Sequence, residues 1–281
     1  MKRINMYVVT YNNSERINQH IERFVGTTEH IDRSQYELNY YIINNHSNFE
    51  LREDLKKYVT GIFHNSLRPD WSCGHLSRDY NAALMHGFHN LNEPHAHQVI
   101  TMHDDSHLNV GWFESLQNIH NQFSFYVGDF GCSMISYLPD AVKKIGIWDE
   151  RFCNIGYHEA DYFLRALIYN NEKSSINDHF GGRVLNETVV LFEHVGPNHQ
   201  KDTHVSQTLG YHTVSRHVFA EKWNTHPEEW RSRMFTTGVP TEPLIHTYML
   251  YPYFELAIEN LEAKKYSYTP AGLEHFKNEW R

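Results

Sequence analysis

The stretch Gln98–Ser106, QVITMHDDS, decides how the rest of the chain is read. Its first part, Gln98–Met102, is a short apolar run of the kind that forms a buried strand, and it stops abruptly at His103-Asp104-Asp105. Two adjacent carboxylates at one strand end repel each other unless a cation sits between or beside them. Magnesium and manganese prefer carboxylate oxygens and keep coordination positions open for phosphate. Such a cation neutralises the charge that develops on a diphosphate leaving group. The bland alternative is a solvated turn, so the pair gains meaning only from its surroundings.

Working outward, Ile4–Thr10 is a second apolar run, ending in Tyr11-Asn12-Asn13-Ser14. Ile17, Ile21, Phe24 and Val25 then recur at helical spacing, with Asn12 or Asn13 available as the cap. Leu38–Ile43 predicts another strand, closing on Asn44-Asn45-His46-Ser47, and Thr60–Phe63 a weaker one. Leu76, Tyr80, Ala83, Leu84 and Gly87 share one helical face. This alternation predicts an α/β fold with a mostly parallel central sheet flanked by helices. Ligands of such sheets bind beyond the carboxyl ends of the strands, where all three polar clusters lie.

Further on, Leu108–Phe113 reads as the beginning of a helix, Phe123–Tyr137 as strand mixed with turn, and Pro139–Ile145 as a short helix. His158-Glu159-Ala160-Asp161 opens a striped helix through Ile168; carboxylates there suit the helix dipole as well as catalysis. Thr188–Phe192 predicts a strand with Glu193-His194 just beyond it, where a neutral imidazole would complete a metal shell. Residues 226–281 are less regular and read as an appendage on a domain of residues 1–225, shaping an acceptor side or forming a homodimer contact.

Composition narrows the classes. The chain has 281 residues, 40% of them hydrophobic, and a formal net charge of -9 without a basic run, which argues against a nucleic-acid grip. Three cysteines without a CxxC pair support neither a disulfide framework nor a thiolate zinc site. With no apolar segment of membrane-spanning length and no signal peptide, a cytoplasmic protein is expected. Asn-x-Ser/Thr triplets at Asn12, Asn45 and Asn186 are therefore read as chance matches.

The order of these motifs resembles glycosyltransferase family 2, and within it the rhamnosyltransferase-like members. Val8–Asn12 is similar to that family's opening strand and loop, and Ile42–Ser47 to its Val-Asp-Asn-x-Ser element. Gly74–Gly87 resembles its Gly…Arg-x-x-Asn-x-Gly helix, and His103-Asp104-Asp105 its metal motif, followed at the expected distance by Trp112. Ile145–Phe152, His158–Asp161, Glu193-His194 and Phe219–Asn224 resemble its later elements, so the resemblance runs over roughly residues 4 to 225. It implies a GT-A type nucleotide-diphospho-sugar transferase fold and an inverting hexosyl or pentosyl transfer. The donor would be a nucleotide-diphosphate sugar, the acceptor a glycan or other hydroxyl-bearing molecule, and the cofactor Mn2+ or Mg2+.

Carried over residue by residue, the resemblance assigns Thr10, Asn12, Asn44, Arg78, Asn81 and Asp104 to the donor, and Asp105 and His194 to the metal. It makes Glu159 the general base, with Asp161 a competitor, and Trp148 and Tyr157 walls for the acceptor. Four positions depart from the family pattern. Asn44 replaces an aspartate that reads the base, Ala83 the usual glycine after Asn81, His103 the first member of the metal motif, and Glu159 the usual catalytic aspartate. The rival readings are a nucleotide-binding protein or nucleotidyltransferase with a similar sheet, and a zinc hydrolase whose nearest helical pair would be His86 and His89.

Overall fold

The computed structural model describes residues 1–45, 49–65, 75–128, 133–152 and 191–194, with 158, 159, 161, 162, 166, 215 and 219. The elements in chain order are β1 (Lys2–Thr10), α1 (Ser14–Thr28), β2 (Tyr36–Asn44), β3 (Gly61–His64), α2 (Leu76–Phe88) and β4 (Gln98–His103). After them come β5 (Ser106–Leu108), α3 (Trp112–His120), β6 (Phe125–Val127), β7 (Met134–Tyr137), α4 (Pro139–Ile145) and β8 (Phe192–His194).

Six strands form one sheet in the order β3-β2-β1-β4-β7-β6. β3, β2, β1 and β4 are mutually parallel, while β7 runs antiparallel to both β4 and β6. This is the α/β, mostly parallel sheet with flanking helices that the alternation predicts. Because successive side chains along a strand point to opposite faces, the sheet feeds two cores. Tyr7 and Val9 pack with Tyr80, Leu84, Val99 and Tyr137 on the α2 face. Ile4, Met6 and Val8 pack with Ile17, Ile21, Ile100 and Leu116 on the face of α1 and α3.

Local chemistry sets the helix ends. Asn13 caps α1, its Oδ1 accepting from the Arg16 amide at 3.0 Å. Gly111 precedes α3 at φ +82°, a left-handed position that suits glycine. At Gly87 the backbone of α2 approaches β4 so closely that a Cβ would lie 2.3 Å from Val99 Cγ2.

Two expectations shift. Leu108 belongs to a strand, and the helix after it begins at Trp112. Glu193 and His194 likewise lie inside β8, and Leu191 before it is not extended into the strand. The reason is shared: β5 and β8 pair antiparallel in a separate two-stranded sheet, Ser106 opposite His194 and His107 opposite Glu193. A three-residue strand closed by a partner so far along the chain leaves no local periodicity to read. Among the described residues, no helix is long and apolar enough to cross a membrane. Residues 226–281 and the boundary at 225 lie outside the described residues.

Candidate functional site

From β1 the chain crosses to β2 and β3 on one side, and β4 is added on the other, so the sheet reverses its order between β1 and β4. In open α/β sheets that reversal opens a crevice at the carboxyl ends of the strands. Here it holds Thr10, the last residue of β1, and Asp104, the residue after β4. The Thr10 hydroxyl donates to Asp104 Oδ2 at 2.6 Å, and the Asp104 amide donates to the Val9 carbonyl at 3.2 Å. In register with Thr10, on the neighbouring strand, is Asn44; His64 ends the strand after that. The rim thus runs His64, Asn44, Thr10, Asp104 across four adjacent strands.

Asp104 and Asp105 are buried, at 8% and 5% exposure. Burial holds the Asp104 carboxyl up at about 7, with the Asp105 charge adding to the rise. The Thr10 hydroxyl, Arg16 and His103 act against it. Asp105 Oδ1 lies 3.9 Å from His103 Nδ1, whose other ring nitrogen bonds the Tyr80 hydroxyl at 2.6 Å. Behind the pair, His20 is fully buried and its Nδ1 meets the Tyr40 hydroxyl at 2.8 Å. Burial drives His20 down to about 3, so it is a neutral prop between α1 and β2.

Two adjacent buried carboxylates, that of Asp104 with a raised pKa, suit a hard divalent ion, since a cation beside them favours the ionised pair. The β5–β8 register adds residue 194 one position along from Asp105, opposite Ser106. Among the described residues no group of three or more His, Cys, Asp and Glu side chains converges. The fit therefore rests on the carboxylate pair.

The other predicted residues divide. Asn12 is exposed at φ +48°, and Arg78 is exposed on the first turn of α2, its amide donating to His75 Nδ1. Asn81 is fully buried. Its Oδ1 accepts from the Trp148 amide at 2.8 Å, and its Nδ2 donates to the Trp148 carbonyl and to Glu150 Oε1, both at 2.9 Å. That amide fastens α2 to the segment before Glu159. Trp148 itself is at 0% exposure, its indole N–H spent on the Tyr137 hydroxyl and its ring stacked 4.2 Å from Tyr162. It belongs to the core and presents no wall. Glu159 Oε2 lies 2.8 Å from His158 Nδ1, and the His158 ring is 5.6 Å from Trp148. Asp161 is buried without exposure. Tyr157 lies outside the described residues, as does the side chain of His194.

Sequence reasoning missed Tyr80, His20 and His64. Tyr80 shares a readable apolar face, but its hydroxyl contact with His103 depends on the strand order. His64 was within reach: it ends β3 as Asn44 ends β2. His86, the hydrolase candidate, is engaged by the Tyr7 hydroxyl at 2.6 Å and ringed by Tyr7, Tyr41 and Phe63. His86 is exposed, but its Nδ1 is already engaged by that phenol.

No family profile and no curated protein matches the chain. Among solved structures it is similar to S. aureus TarS, at 12% identity and a TM-score of 0.43, over 60% of this chain and 56% of that one. It is similar also to a mutant Drosophila β1,4-galactosyltransferase 7 in complex with manganese, UDP-Gal and xylobiose, at 10% identity and a TM-score of 0.42, over 77% and 80% of the two chains. A third is GalNAc-T7 with UDP, GalNAc and Mn2+, at 10% identity and a TM-score of 0.41, over 58% and 41%. The chain spans little more than half of the first TarS structure and about a third of a longer one, at 56% and 34%. The function of this chain has to come from its own residues.

Proposed function

We propose that this chain is a GT-A type glycosyltransferase of the family 2 kind, moving a sugar from a nucleoside diphosphate carrier to an acceptor hydroxyl with divalent-metal assistance. The observation that carries the reading is the buried Asp104–Asp105 pair at the sheet's order reversal, with Asp104 tied to Thr10 at 2.6 Å. A solvated turn would expose these carboxylates, and burial would then cost nothing. In this reading Asp105 and His194 hold Mn2+ or Mg2+, which when bound supplies positive charge for the departing diphosphate. Thr10, Asn44 and Asp104 hold the nucleoside, with Asn12 and Arg78 at its margin.

Glu159 takes the proton from the acceptor hydroxyl as that oxygen bonds to the anomeric carbon. The bond from that carbon to the diphosphate oxygen breaks as the new one forms, and the diphosphate leaves with the electron pair. Attack from the opposite face inverts the anomeric centre. Asn81 serves by positioning: its clamp on Trp148 supports the floor on which Glu159 and His158 stand. A cytoplasmic site of action and a hydroxyl-bearing glycan acceptor complete the proposal.

The test is a panel of nucleotide sugars with Mn2+, followed by release of nucleoside diphosphate and by product analysis. Glu159→Gln is expected to bind donor normally and to lose transfer by about 100-fold or more, the range of a positioned general base. Near-normal turnover of that variant would remove Glu159 from the role. A protein that binds nucleotides yet transfers no sugar would be a nucleotide-binding protein instead.

A further inference from the structure

Tyr80 and His103 come from different elements and meet beside the acidic pair. Tyr80 stands on α2 and is fully buried, its ring edge-on to Trp148 at 5.0 Å. His103 ends β4, its side chain 22% exposed and its ring nearly parallel to that of Tyr80. The Tyr80 hydroxyl lies 2.6 Å from His103 Nε2, while His103 Nδ1 faces Asp105 Oδ1 at 3.9 Å. In a neutral imidazole one nitrogen donates and the other accepts. A lone pair on Nδ1 would be turned against a carboxylate oxygen and repelled by it. The proton therefore sits on Nδ1, and Nε2 accepts the Tyr80 O–H. The 3.9 Å between Nδ1 and Oδ1 is too long for a hydrogen bond. A movement of about 1 Å by either side chain closes it, and bonds in a site commonly tighten in this way once its ligand arrives.

We propose that Tyr80 and His103 are a positioning pair: His103 Nδ1–H takes Asp105 Oδ1 and leaves the other oxygen of Asp105 to the cation. Tyr80 holds the ring in the tautomer that does this. With the phenol proton on Nε2 and its own proton on Nδ1, His103 has no lone pair to offer the ion. It orients a ligand without becoming one. Without the phenol, the ring proton is free to move to Nε2, and Nδ1 then turns a lone pair toward carboxylate and cation alike. Because Tyr80 belongs to α2 and His103 to β4, the packing of helix on sheet sets the direction of the metal carboxylate. The inference rests on the transferase reading, because it supposes a divalent ion on Asp105.

The experiment measures Mn2+ affinity of the full chain at pH 8 by loss of the free-ion electron paramagnetic resonance signal, with circular dichroism checking that each variant is folded. Tyr80→Phe keeps the buried ring and should weaken affinity about 10-fold, the usual loss when the partner behind a metal ligand is removed. His103→Ala, with no donor, should lose at least as much. His103→Asn retains an N–H donor close to where Nδ1 stands, and the carboxylate repels its amide oxygen, so no phenol is needed to orient it. Its affinity should stay near that of wild type, and adding Tyr80→Phe to it should change nothing further. A phenol that matters only for packing weakens binding equally in both backgrounds, and that result overturns the pair. So does an unchanged affinity in Tyr80→Phe. A manganese-bound nitrogen signal in electron–nuclear double resonance that disappears in His103→Ala at saturating Mn2+ also overturns it, by making His103 a ligand. Each of these leaves the transferase reading standing, whereas failure of the wild-type chain to bind Mn2+ overturns that reading's metal and the positioning pair with it.

Discussion

Moving the pH across the Asp104 titration tests the acidic pair without altering a residue. The Asp104 carboxyl has been lifted from 3.8 to about 7, chiefly by burial and then by the neighbouring Asp105. At ~1.4 kcal/mol per pH unit, the ionised form is disfavoured by roughly 4 kcal/mol in the folded chain. The raised value means the folded chain holds this proton more tightly than the unfolded chain does. Its contribution to stability is thus complete below about pH 4 and is lost as the pH rises through about 7. A divalent cation held on Asp105 reverses the balance, since its charge beside Asp104 favours the ionised carboxylate and drives that proton off. Manganese affinity, followed by the loss of the free-ion electron paramagnetic resonance signal, should weaken about 10-fold for each pH unit below 7 and level off above 8. In Asp104→Asn the slope attributable to this proton should vanish. An affinity indifferent to pH between about 5.5 and 8.5, or an unchanged slope in Asp104→Asn, refutes the argument that burial of Asp104 is coupled to metal.

Other consequences are read from stability and from the same titration. Thr10→Val keeps the shape but removes the donor on Asp104 Oδ2, so the midpoint of the manganese pH profile should move above 7; an unmoved midpoint denies the hydroxyl its role. Asn81→Ala strips partners from the buried Trp148 amide and carbonyl and should cost about 2–4 kcal/mol in urea unfolding, measured by tryptophan fluorescence. A loss below about 1 kcal/mol would mean the clamp is replaceable. Gly87→Ala drives a methyl group into Val99 and should destabilise by about 1–3 kcal/mol, seen as a lower urea midpoint. No change there would mean α2 sits further from the sheet.

Much of the architecture was legible because the strands announce their own ends. QVITM stops at His103, LNYYII stops at Asn44, and each polar stop marks the carboxyl end at which such sheets bind ligands. Asn13, too, is a cap that its residue type predicts. What the sequence hides is pairing between distant segments. Met134–Tyr137 is a short apolar run with no mark of direction, yet it inserts antiparallel between β4 and β6. Ser106–Leu108 finds its partner only at Phe192–His194. The site is hidden for a related reason. An asparagine in a helix gives no hint that its amide will hold Trp148, and a tryptophan in a glycine-marked loop reads equally as ligand wall or core. Three-dimensional neighbours decide both, and here they make Asn81 a clamp and Trp148 core.

The most direct test of the account is a crystal of the protein grown with manganese and a nucleoside diphosphate, with anomalous diffraction collected at the manganese edge. The account predicts one strong anomalous peak about 2.2 Å from an Asp105 oxygen and from a diphosphate oxygen, on the rim that Thr10, Asn44 and Asp104 form. A peak elsewhere, with the nucleotide away from that rim and both aspartates still closed against protein, would contradict it.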